Sequence, residues 1–108
     1  MSRSEHLVRI ADGPEVVVSA HAYKRYSERH GGEPADLRDS LALAEPAQDW
    51  LVAASFVKPP SELWWLGPVG FVLNPDRKGE FPVVATVLDL TGAIRWHFRQ
   101  SKGEASRV

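Results

Sequence analysis

A chain of 108 residues with a formal net charge of −1 and 44% hydrophobic residues is the size of one domain and can fill one core. It has no cysteine, which excludes a disulfide framework, a thiolate nucleophile and a Cys-ligated zinc. No apolar run nears the roughly 20 residues of a membrane span, and no signal-peptide pattern follows Met-Ser-Arg-Ser-Glu-His, so a cytoplasmic location is expected.

Charge is uneven along the chain. Residues 31–50 hold Glu33, Asp36, Asp39, Glu45 and Asp49 against Arg38, whereas residues 93–108 hold Arg95, Arg99, Lys102 and Arg107 against Glu104. A polyanion would prefer the second region.

In chain order, residues 1–5 are polar, and Leu7, Val8 and Ile10 mark a short strand over His6–Ile10. Ala11-Asp12-Gly13-Pro14 is a turn signal. Three consecutive valines make Glu15–Ser19 a strand, because β-branched side chains favour the pleated backbone. Ser19 is the expected N-cap of a helix that Gly31-Gly32 ends. Pro34 opens a second helix, with Leu37, Leu41 and Ala44 on one face and Pro46 closing it.

From Asp49 the texture changes. Trp50–Val57 is a nearly continuous apolar run, read as a buried strand, and Lys58-Pro59-Pro60-Ser61 breaks it. Strands follow over Glu62–Leu66, Val69–Leu73 and Phe81–Leu90, separated by Gly67-Pro68 and the polar loop Asn74–Gly79. After Thr91-Gly92, Ala93–Phe98 reads as a last strand. The expected fold is α+β: an N-terminal strand and two helices packed on one face of a four- to five-stranded antiparallel sheet, the other face partly open. Residues 1–100 form one domain and 101–108 a flexible polar tail.

Two stretches carry candidate chemistry. On the first helix, at 100° per residue, His21, Arg25 and Glu28 share one face with Arg29 on their flank. On the last strand, Arg95, His97 and Arg99 point one way and Ile94, Trp96 and Phe98 the other. Arginine binds phosphate oxygens bidentately and histidine moves protons near neutral pH. Each stretch also reads as a solvated face, with Glu28 pairing Lys24 or Arg25. Of Trp64 and Trp65, one should be core and the other a stacking platform or partner surface. Lys58 and the loop residues Arg77 and Lys78 read equally as phosphate contacts or solvated loops. No His spacing suits a metal site, no nucleophile elbow surrounds Ser19 or Ser55, and no phosphate loop precedes a helix, so no cofactor is expected.

The run Ser19-Ala20-His21-Ala22-Tyr23-Lys24-Arg25-Tyr26-Ser27-Glu28-Arg29 resembles the start of small prokaryotic toxin-like domains of the RelE/barnase-like ribonuclease superfamily. The resemblance is specific over about 15 residues and architectural over 31–98. It implies metal-independent cleavage of RNA, ribosome-associated in some members, and pairing with an antitoxin. On it, His21, Arg25, Glu28 and His97 are the candidate catalytic residues, and Arg29, Arg95 and Arg99 the candidate phosphate contacts. This composite site requires the helix face and the last strand to meet. The alternative is a non-catalytic nucleic-acid-binding or protein-interaction module, of phage or mobile-element type, forming a homodimer through the Trp64-Trp65 region. A large exposed aromatic patch and a helix face whose charges pair with each other would mark it.

Overall fold

The computed structural model describes residues 7–75 and 81–105, with side chains to Gln100. The loop residues Arg77 and Lys78, and residues 106–108 of the expected tail, lie outside the described residues. The elements are β1 (Leu7–Arg9), β2 (Glu15–Val18), α1 (Ala20–His30), α2 (Pro34–Ala42), β3 (Glu45–Pro46), α3 (Asp49–Ala54), β4 (Glu62–Leu66), β5 (Val69–Asn74), β6 (Val83–Asp89) and α4 (Thr91–Ala105).

The α+β class is as expected, but the sheet is mixed and has six strands, in the order β1-β2-β6-β5-β4-β3. The pairs β1–β2, β3–β4, β4–β5 and β5–β6 are antiparallel. β2 runs parallel to β6, with Val17 opposite Val83. A parallel neighbour needs a long crossover rather than a hairpin, and here everything from α1 to β5 supplies it. Two expected strands are helical: Trp50–Val57 begins with all but the first residue of α3, and Ala93–Phe98 lies inside α4. A short apolar run fits a buried strand and a half-buried helix equally well. α4 also continues through 101–105, which were expected as tail. α2 stops at Ala42, so Ala44 is buried beyond the helix and Pro46 belongs to β3.

The helices cover both faces of the sheet, not one. The larger core joins Ala22 and Tyr26 of α1 and Leu37 and Leu41 of α2 to Val16, Val18, Trp64, Phe71 and Val84 of the strands. The smaller joins Leu51 of α3 and Ala93 and Ile94 of α4 to Leu63, Trp65, Val72 and Leu88. Successive strand residues point to opposite faces, and Leu63, Trp64 and Trp65 alternate between the cores accordingly. In β6 the register slips between Val72↔Thr86 and Leu73↔Val84, so Ala85 is an extra residue. That bulge lets Val84 and Val87 face the same core three positions apart.

α1 starts and stops where the sequence places it. Ser19 Oγ accepts from the Ala22 amide at 3.1 Å, a cap contributing about 1 kcal/mol. Gly31 adopts φ 69°, the left-handed turn that glycine enters without steric cost, and its amide donates to Ser27 O at 2.9 Å. The two ends of the helix are tied to β6, one where β2 pairs with it and the other beyond that pairing. The Ser19 hydroxyl donates to Val84 O at 2.8 Å. His30 Nε2 lies 3.1 Å from Leu88 O; a carbonyl only accepts, so that nitrogen carries the proton. The Ser19 hydroxyl thus adds a second bond to a carbonyl that its own amide already meets at 3.2 Å, while His30 satisfies a carbonyl beyond the β2 pairing that would otherwise template another strand.

Candidate functional site

The stripe expected on α1 is present. Burial of Ala22 and Tyr26 turns His21, Arg25 and Glu28 outward. Arg25 Nε lies 3.4 Å from His21 Nε2, and Arg25 Nη1 donates to Glu28 Oε1 at 2.8 Å. The Arg25 and Glu28 side chains are 39% and 45% exposed. One guanidinium therefore sits between an imidazole and a carboxylate on an accessible helix face. Arg29 is exposed one position further on.

Hydrogen bonds from the Thr91 hydroxyl and amide hold the Asp89 carboxyl below its usual range, with smaller contributions from the charges of His30 and Arg29. Asp89 Oδ1 accepts from the Thr91 hydroxyl at 2.6 Å and the Thr91 amide at 3.0 Å. This ties the end of β6 to the first turn of α4.

The second wall of the composite site does not form as expected. Arg95, His97 and Arg99 lie on a helix, where positions i and i+4 share a face and i+2 does not. Arg95 and Arg99 are exposed, while His97 turns inward and stacks on the Trp50 indole of α3. Their ring centroids are 3.8 Å apart and the planes 8° apart. α1 packs on the larger core and α4 on the smaller, on opposite faces of the sheet. Among the described residues no hydrogen bond, ion pair or ring contact joins His97 to His21, Arg25 or Glu28. His97 is thus a packing residue against α3, and the site reduces to its α1 half.

Trp64 is buried beneath Gly13, where an added Cβ would lie 2.5 Å from the indole. Trp65 is half-buried and meets Trp50 edge-on at 6.3 Å. Neither forms an open stacking platform. Lys58 is exposed. The large exposed apolar side chains are instead Leu43, Phe56, Phe81, Trp96 and Phe98. Sequence reasoning missed Trp96 and Phe98, because strand periodicity placed them in a core. Reading Ala93, Ile94 and His97 as i, i+1, i+4 would have found the inward stripe of a helix and left both aromatics outside.

Among the described residues no three His, Asp or Glu side chains gather as metal ligands would, and no helix is long and apolar enough to cross a membrane. Comparison with protein-family models, curated proteins and solved structures returned no match.

Proposed function

We propose that the chain is a cytoplasmic, toxin-like domain that cleaves RNA without a metal ion, using the α1 stripe alone. The observation that carries this reading is Arg25 held between His21 and Glu28 on an open helix face. The resemblance of residues 19–29 to the RelE/barnase-like superfamily supports the choice of RNA. Glu28 takes the proton of a ribose 2′-OH as that oxygen attacks phosphorus. The bond from phosphorus to the 5′-oxygen breaks, and protonated His21 gives its proton to the departing oxygen, leaving a 2′,3′-cyclic phosphate. Arg25 and Arg29 stabilise the charge gathering on the phosphoryl oxygens. Arg25 must exchange both Glu28 and His21 Nε2 for phosphate as RNA enters, because a nitrogen that accepts from Arg25 Nε cannot carry the proton His21 donates. An exposed ion pair of this kind holds by less than about 1 kcal/mol, so the exchange is cheap. An antitoxin, on this reading, is a partner that covers the stripe.

One observation favours a second reading, a non-catalytic nucleic-acid-binding or interaction module: Arg25 already has its counter-ion in Glu28. Induced expression of wild type, His21→Ala, Arg25→Ala and His97→Ala decides between them, with growth and RNA integrity as readouts. Wild type and His97→Ala should slow growth and degrade RNA. His21→Ala and Arg25→Ala should not, with in-vitro cleavage falling about 100-fold or more. Intact RNA and equal growth in all four would reject cleavage.

A further inference from the structure

α4 presents a surface that the α1 stripe does not use. Ala93 and Ile94 pack on the smaller core and His97 stacks on Trp50, which fixes the inward side of the helix. At 100° per residue the outward side reads, in order around the axis, Phe98, Arg95, Arg99, Trp96, over an arc of about 160°. Trp96 is 57% exposed and Phe98 60%. Arg95 and Arg99 stand one turn apart, about 6 Å along the axis. Neither has an acidic partner among the described residues. Ile94, Arg95, Phe98 and Arg99 line an open hollow of about 340 Å³.

Two guanidiniums without an acidic partner among the described residues, flanked by two exposed aromatic rings, match one chemistry closely. Phosphates pair with the arginines while unstacked bases lie on the rings, and neither contact depends on base identity. A duplex would use the arginines and leave both rings idle, since its bases are already stacked. We propose that the outward face of α4 binds single-stranded nucleic acid, two bases on Trp96 and Phe98 and the intervening phosphates on Arg95 and Arg99. The preference for RNA over DNA rests on the function proposed above; the single-strand preference rests on α4 itself.

The test is fluorescence anisotropy at low salt with a labelled single-stranded oligodeoxythymidylate, which lacks the 2′-OH and cannot be cleaved by the route above. Trp96→Ala should weaken binding about tenfold and leave its salt dependence unchanged. Arg95→Ala/Arg99→Ala should weaken binding and flatten the slope of log affinity against log salt by about 1.4, two phosphate contacts' worth. All these side chains are exposed, and circular dichroism establishes that each variant folds. Leu43→Ala, an exposed residue outside both the α1 stripe and the α4 face, should bind as wild type does. Wild-type binding that both α4 variants weaken, without RNA cleavage by wild type, would uphold the α4 surface and reject the α1 reaction. Cleavage by wild type with unaltered binding in both α4 variants would do the reverse. Equal or tighter binding to a duplex of the same length, or binding to an acidic peptide in place of the oligonucleotide, would overturn the α4 proposal.

Discussion

Asp89 illustrates how much one side chain settles. It is exposed, yet its carboxylate takes both the hydroxyl and the amide of Thr91 at the start of α4. These bonds, reinforced by His30 and Arg29, lower its folded-state pKa. Above the ordinary value of 3.8 both folded and unfolded chains carry the charge, and the stabilisation is fully present. As pH falls below that value the unfolded chain takes up the proton first, and the stabilisation fades until the folded carboxyl is protonated too. Asp89→Asn keeps an acceptor oxygen but has no proton to gain. Urea unfolding at about pH 5.5 and about pH 3 should therefore show a larger loss of midpoint in wild type than in Asp89→Asn. An equal loss would mean that the Thr91 bonds carry no charge-dependent stability.

Among the elements, α1 was legible and α4 was not, and the contrast has a physical basis. α1 is bracketed by residues whose chemistry acts locally: a hydroxyl that caps and a glycine that turns left-handed. Ala22 and Tyr26 then need only the helical period to share a face. In α4 the residues Ile94, Trp96 and Phe98 alternate with Arg95, His97 and Arg99, the period of a strand. The structure resolves the conflict by leaving two large aromatics in water. The strand period of the large apolar residues hides that choice, and only the helical spacing of Ala93, Ile94 and His97 signals it. α3 failed for a simpler reason: only Leu51 is fully buried in it, too little to show a period. The expected α1 face therefore survives with its members together, while the second face divides between solvent and Trp50.

Ser19 carries a prediction about α1 as an element. Its oxygen accepts from Ala22 while its hydrogen serves β6, so two roles can be separated. Ser19→Ala removes both and should cost about 1–2 kcal/mol in urea unfolding. Ser19→Thr should restore most of that. Ser19→Asp supplies the cap but cannot donate to Val84 O, and should recover only part. Full recovery with Asp would show the strand-edge bond to be energetically silent.

At the scale of the whole molecule, the sheet divides two cores of unequal size. The larger gathers α1, α2 and five strands, with Phe71, Leu37, Leu41, Val16 and Val84 sealed from solvent. The smaller has three buried residues, Leu51, Leu63 and Leu90, ringed by half-buried neighbours. Opening the smaller side exposes far less apolar surface, so it should open first. Native-state hydrogen exchange in low denaturant should show α3 and α4 amides released by sub-global opening, with central β5 and β6 amides exchanging only on global unfolding. Leu51→Ala, expected to cost about 2–5 kcal/mol locally, should accelerate the first class more than the second. Uniform acceleration would show the two cores to be one cooperative unit.

The parallel pairing of β2 with β6 has a consequence for synthesis. Ser19 and Val84 are 65 positions apart, and β2 has no other neighbour on that side to hold it. A nascent chain leaves the ribosome with the β1–β2 hairpin and α1 complete in sequence but with the strand they rest on still untranslated. At about 5–20 residues per second, the apolar faces of Val16, Val18, Ala22 and Tyr26 wait several seconds for β5 and β6, with only α2 to meet them in the meantime. The segment from β1 through α1 is thus the one most in need of a chaperone during translation, although it ends as part of the best-buried region of the fold.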